Sequence, residues 1–518
     1  MSGTHDLYGL DDVDEDVAQA AASSTISQED PMARRPRRVL SVASECAPLI
    51  KTGGLADVVG ALPAALEPLG WRSRILLPAY PGLLERVGRT RRIWRADDLF
   101  GGPAVVRSAK HEGLDLLLLD APHLFDRPGG PYVVDGHDHH DNHVRFAALS
   151  WVGARLAVEG TSDRWKPDLV HAHDWQAGLV PSYLKYAGSE VPTVLTIHNI
   201  AFQGIFGPDQ LDRLKLPTWD FHADALEYHG LVSTLKAGMM HASRVTTVSP
   251  SYAQELTTPE FGFGLEGVAA ARRDRGEMLG ILNGIDTAAW DPENDPHVSP
   301  YSADAPRGKD ANRAALLREF GLDEPAGPLA VVVTRLTHQK GVDMLLEALP
   351  RFIEAGGAVA ILGSGDPGYE YGLGELAERH PQAVGVRIGY DEALSHRLYA
   401  GGDLVLVPSR FEPCGLTQLY GLRYGALPVV AATGGLRDTV TDASPWHLED
   451  GTATGFSFGG ENGAGLDAGG LGFALGRAVD LYKDRATWAA VRERAMRDTV
   501  DWGASAARYA ALFEELAA

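Results

Sequence analysis

The stretch RVLSVASECAPLIKTGGLADVVGALPAALEPL, residues 38–69, sets the reading of the chain. Its first part, Arg38–Ser44, is a short continuous apolar run, as expected for a parallel strand covered on both faces. Lys51-Thr52-Gly53-Gly54-Leu55 then turns the chain, and Gly54–Leu69 carries apolar residues at helical spacing. Strand, glycine turn and helix in that order are the opening unit of a doubly wound α/β sheet.

The same alternation recurs along the chain. Further runs occur at Arg74–Pro78, Leu114–Leu119, Asp168–Ala172, Thr193–His198 and Arg244–Ser249. A second set occupies Leu329–Thr334, Ala358–Leu362, Val384–Ile388, Leu404–Val407 and Pro428–Ala431, with helical patterns such as Val342–Ala355 and Leu416–Tyr424. The two sets are separated by Asp286–Arg313, rich in Pro, Asp and Ser, which reads as a linker. The predicted division is a disordered acidic tail at 1–37, Rossmann-like domains at 38–285 and 286–490, and a C-terminal helix at 491–518 free to pack back on the N-terminal domain. Ligands of open α/β sheets bind at the carboxyl ends of strands, so a cleft between the domains is the expected site.

Bulk composition narrows the function. A length of 518 residues exceeds one ordinary core, and 45% hydrophobic with 22% charged residues is a soluble globular balance. No apolar run approaches the ~18 residues of a membrane span. The acidic start lacks the apolar core of a signal peptide. A formal net charge of -22 argues against nonspecific nucleic-acid or anionic-membrane binding. Cys46 and Cys414 are the two cysteines, too few for a disulfide framework or zinc cluster. A cytoplasmic location is expected.

The unusual residues fall just after the strands. At Lys51-Thr52-Gly53-Gly54, close backbone approach to a phosphate and a plain glycine turn with a surface lysine are both open readings. His171-Ala172-His173-Asp174 reads as a polar cluster at a sheet edge rather than a metal site, with Asp174 free to bond a polyhydroxyl ligand. His198-Asn199 closes the next run. The His137–His143 stretch reads as a solvated loop. Arg335 and Lys340 sit on one strand-to-helix loop, where both can converge on one anion. Glu412 precedes Pro413 and a helix start whose N–H groups at Gly415, Leu416 and Thr417 are free for phosphate. Cys414 has no base beside it and reads as a small buried residue.

Taken together these segments resemble the starch and glycogen synthase family of retaining glycosyltransferases. The matching stretches are KTGGLADVVGALP (51–63), HAHDWQAGLVP (171–181), TIHNIAFQG (196–204), FGFGLEG (261–267), LNGID (282–286), TRLTHQKGVD (334–343), SRFEPCGLTQLYGLRYG (409–425) and TGGLRDTV (433–440). The resemblance implies the GT-B fold, two Rossmann-like domains facing a central cleft. It implies glucose transfer from ADP-glucose to the non-reducing end of an α-1,4-glucan such as glycogen, with no metal or other cofactor. UDP-glucose as donor is the alternative. By position it gives donor phosphate to Lys51, Gly53 and Gly54, and the diphosphate to Arg335 and Lys340. It gives the glucose to Asp174, His198, Asn283 and Glu412, with Cys414, Gly415, Leu416 and Thr417 at the substrate. Many retaining nucleotide-sugar transferases carry a second glutamate eight positions after the first. Here that position is Tyr420, which leaves the ribose contact unassigned.

Overall fold

The computed structural model describes residues 35–460, 463–498 and 501–518. The acidic tail expected at 1–37 lies outside the described residues apart from 35–37. Arg37–Ala518 forms one unit built around two large sheets, with a three-stranded and a two-stranded sheet beside them.

The first sheet has nine strands. Its parallel part runs, from one edge inward, Met278–Gly280, Arg244–Thr247, Thr193–Ile197, Leu169–His173, Arg37–Val42, Trp71–Pro78 and Leu114–Asp120. Every residue of Leu169–His173 and of Thr193–Ile197 is buried, which is why both read as unbroken apolar runs. At the far edge Ala104–His111 and Arg91–Ala96 join antiparallel. The sequence reading missed both. Their residues alternate between the core and solvent, so neither makes a continuous apolar run.

The second sheet has six parallel strands, in the order Val384–Ile388, Ala358–Gly365, Leu329–Leu336, Leu404–Val407, Leu427–Ala431 and Phe456–Phe458. The α/β architecture of facing doubly wound sheets follows the expectation. The HAHD segment does not lie at a sheet edge: Leu169–His173 is an interior strand, and its histidines are buried at the carboxyl end.

Asp286–Arg313 is packed rather than a free linker. Trp290 stacks between His396 at 3.9 Å and Tyr420 at 3.8 Å. Asp295 accepts hydrogen bonds from Tyr424 Oη at 2.6 Å and pairs with His396 at 2.7 Å. The C-terminal helical stretch is two helices. Arg485–Arg497 packs on the second sheet's helices, with Trp488 in their core. Trp502–Leu516 returns to the first helix, Gly54–Leu66, where Phe513 meets Trp71 edge-on at 5.4 Å. Between the sheets, Ile285 bridges Asp501, and Ser505 Oγ donates to the Leu282 carbonyl.

Candidate functional site

The carboxyl ends of both sheets open on one cleft of about 2560 Å³. Lys51, Gly53, Gly54, Asp174, His198, Asn283, Arg335, Lys340, Glu412, Cys414, Gly415, Leu416 and Thr417 all line it. The chain is fastened beside the cleft by bonds between the two halves. Ser249 Oγ donates to the Pro413 carbonyl at 2.6 Å, and Glu255 accepts from Gly434 N at 2.7 Å and Thr433 Oγ1 at 3.0 Å.

On the N-terminal wall, Asp174 follows its strand with φ +53, a left-handed conformation that is costly for a residue with a Cβ. The turn aims its carboxylate at the neighbouring strand end, where Oδ1 accepts from His198 N at 2.6 Å and Asn199 N at 3.3 Å. Burial raises its pKa to about 7, against the pull of those two N–H groups. His198 Nε2 meets His173 Nδ1 at 3.0 Å, and His173 Nε2 meets Ser41 Oγ at 3.1 Å. Burial lowers His198 to about 3, so the ring is neutral at physiological pH. His171 is likewise lowered to about 3, by burial first and the neighbouring His198 second, and bonds Thr196 Oγ1 at 2.6 Å.

The Lys51–Gly54 loop differs from expectation. The N–H groups of Thr52 and Gly53 do not face open space but donate to the carboxylate of Glu45. Glu45 also accepts from Thr52 Oγ1 at 2.6 Å and Tyr132 Oη at 2.5 Å. An internal carboxylate thus stands where the Gly53 amide was expected to meet phosphate. Lys51 is half-exposed and pairs with Asp57 at 2.7 Å. Glu45 and Tyr132 were missed by sequence reasoning. The available signal was an acidic residue set among small and apolar ones directly after a buried strand.

On the C-terminal wall, Arg335 is exposed and has no carboxylate partner among the described residues. Lys340 is paired with Glu412 Oε2 at 2.5 Å, and Ser409 Oγ reaches the same oxygen at 2.9 Å. The helix Thr417–Tyr424 starts at Leu416 with no side-chain cap, and Gly415 before it sits at φ +73. Those helix N–H groups face the cleft with partial positive charge. Cys414 is buried and its thiol is pushed up to about 12 by burial, so it is not a nucleophile. Asn283 is buried with its side-chain oxygen unpartnered. Among the described residues no group of three or more His, Cys, Asp or Glu is arranged to hold a metal ion, and no helix is long and apolar enough to cross a membrane. The arrangement suits an anion on the C-terminal wall and a neutral polyhydroxyl group between Asp174, His198 and Glu412.

The starch synthase catalytic domain family matches residues 38–271, and the family of glycosyl transferases group 1 matches residues 318–458. A glycogen synthase of Cereibacter sphaeroides is 55% identical over 482 residues, covering 93% of this chain and 99% of that protein. One of Paracoccus denitrificans is 55% identical over 483 residues, covering 93% of this chain and all of that protein. Among solved structures, the catalytic domain of starch synthase IV from Arabidopsis thaliana, bound to ADP and acarbose, superposes with a TM-score of 0.81 at 33% identity. That likeness covers 93% of this chain and 99% of that one. Sucrose-phosphate synthase from Thermosynechococcus elongatus, at 18% identity and a TM-score of 0.58, shares the fold. The chain belongs to the starch and glycogen synthase family of glycosyltransferases.

Proposed function

We propose that the protein transfers glucose from ADP-glucose to the non-reducing end of an α-1,4-glucan, with retention at the anomeric carbon. One observation carries this reading. Arg335, Lys340 and the uncapped start of Thr417–Tyr424 lie on one wall of a cleft whose other wall presents Asp174 and His198. Breaking the bond to the nucleotide builds negative charge on the diphosphate and positive charge at the anomeric carbon. A wall of positive groups stabilises the first change, and carboxylates stabilise the second. His198, kept neutral by burial, adds hydrogen bonds without opposing the developing positive charge. The starch synthase IV relative, solved with ADP and acarbose, supports an adenine nucleotide and a saccharide in this cleft.

Retention is best served by attack on the face the phosphate leaves, with a phosphate oxygen taking the acceptor's proton. The alternative, a covalent intermediate, needs a free carboxylate. Asp174 Oδ1 is engaged by two backbone N–H groups, and Glu412 Oε2 is engaged by Lys340 and Ser409. In this reading the wall cations do the work a metal would do, and activity is expected to survive chelation by EDTA.

The test is incorporation of labelled glucose into glycogen from ADP-glucose and, in parallel, from UDP-glucose. Faster incorporation from ADP-glucose is expected. Preference for UDP-glucose, or no incorporation from either, would overturn the reading.

A further inference from the structure

A line of buried side chains runs behind the N-terminal wall and has no part in the reaction as derived. Ser41 lies opposite His171 on the neighbouring parallel strand, and His173 lies opposite Thr196 on the next. Side chains two residues apart along a strand share a face, so Ser41, His173 and His198 fall on one diagonal across three strand ends. Their atoms meet along it. Ser41 Oγ lies 3.1 Å from His173 Nε2, and His173 Nδ1 lies 3.0 Å from His198 Nε2. Of the three, His198 lines the cleft, and Ser41 and His173 are buried behind it.

Counting protons along the line fixes its direction. A neutral imidazole carries one N–H and one lone pair. Both rings are neutral. Burial lowers His198 to about 3, and burial first, with His171 and His198 after it, holds His173 well below the ordinary histidine range. Two arrangements remain. In the first, His198 Nε2–H donates to His173 Nδ1, and His173 Nε2–H donates to Ser41, whose own hydroxyl hydrogen then needs another acceptor. Ser41 sits among Val39, Val58, Val59 and Leu62 and has no other side-chain hydrogen bond among the described residues. A hydroxyl hydrogen buried without an acceptor carries a full desolvation penalty. In the second, Ser41 Oγ–H donates to His173 Nε2 and His173 Nδ1–H donates to His198 Nε2. Every donor on the line then has an acceptor.

We propose that Ser41 and His173 are positioning residues that fix the proton of His198 on Nδ1, the nitrogen left for the cleft. The ring then meets the transferred sugar as an N–H donor to a hydroxyl oxygen, and no lone pair is offered in its place. This deepens the proposed function and rests on it for the identity of the sugar. The tautomer itself rests on the line of bonds alone.

The experiment is nitrogen NMR of the full chain carrying isotope-labelled histidine, without substrate, the His198 signals being identified by their loss in His198→Asn. In the parent, His198 should show a proton on Nδ1 and a bare Nε2. Ser41→Ala, which removes only an oxygen, should show both tautomers. Its kcat/KM for ADP-glucose should fall about tenfold, while its Kd for ADP, which lacks the sugar, stays within about twofold. Ser41→Thr keeps the hydroxyl and should recover to within about threefold of the parent. A parent spectrum with the proton on Nε2 would overturn the proposal, as would a Ser41→Ala variant with the parent's tautomer or the parent's kcat/KM. A comparable rise in the Kd for ADP would mean general distortion of the cleft rather than a change of tautomer, and would overturn it as well. The spectrum is read without substrate, so it stands even if ADP-glucose proves not to be the donor.

Discussion

On the N-terminal wall of the cleft, the carboxylates are already engaged by the protein itself. Glu45 and Asp174 are buried carboxylates that hold backbone N–H groups of the protein itself, and His171 and His198 are neutral. On the C-terminal wall, Arg335 has no carboxylate partner among the described residues, and the helix start at Leu416 lacks a side-chain cap. The first wall's carboxylates are engaged by groups of the protein itself; the second carries positive charge that suits an incoming anion. The difference assigns the sugar to the preorganised wall and the diphosphate to the positive one. Lys340 is the partial exception, since Glu412 holds it in place until an anion competes.

The largest effect that could break this comparison is at that pair. Lys340→Ala removes a diphosphate cation and leaves Glu412 as an uncompensated carboxylate, so kcat/KM for the nucleotide sugar should fall about a thousandfold. A loss under tenfold would mean that the C-terminal wall does not carry the leaving group.

Glu45→Ala tests the opposite wall. It strands the N–H groups of Thr52 and Gly53, and the expected cost is ~2 kcal/mol of stability, read from urea unfolding. If those amides served phosphate instead, the variant would bind ADP more tightly than the parent, and the assignment of the walls would fail.

A smaller effect lies in pH. His198 has its pKa depressed from 6.5 to about 3, so unfolded chains bind a proton near pH 6.5 that the folded protein refuses. Its contribution to stability is present above pH 6.5 and is lost as pH falls toward about 3. Asp174 is raised from 3.8 to about 7 and has the opposite sign: its contribution is present below pH 3.8 and is lost as pH rises through about 7. His198→Asn should therefore flatten the acid loss of stability by up to about 1.4 kcal/mol per pH unit, and Asp174→Asn should steepen it. Urea midpoints measured across that range give both slopes.

The fold was largely legible because parallel strands buried on both faces announce themselves as unbroken apolar runs, each followed by a glycine turn or a polar end. Arg91–Ala96 and Ala104–His111 lack that mark. The motif residues converge on one cleft, but their pairings depend on contacts distant in sequence. Tyr132 meets Glu45 only after the chain has crossed the sheet. Lys340 and Glu412, assigned separately to diphosphate and glucose, hold each other because two strand ends of the second sheet lie side by side. His173 stood inside a matched motif, HAHDWQAGLVP. Its contact with His198, which is the informative property, exists only in the folded chain.

The central claim is that the positive charge of the C-terminal wall is the diphosphate site. Equilibrium binding of ADP to the parent and to Arg335→Ala tests it most directly. Arg335 is exposed, so the variant should fold normally and its Kd for ADP should rise about a hundredfold. An unchanged Kd would contradict the account.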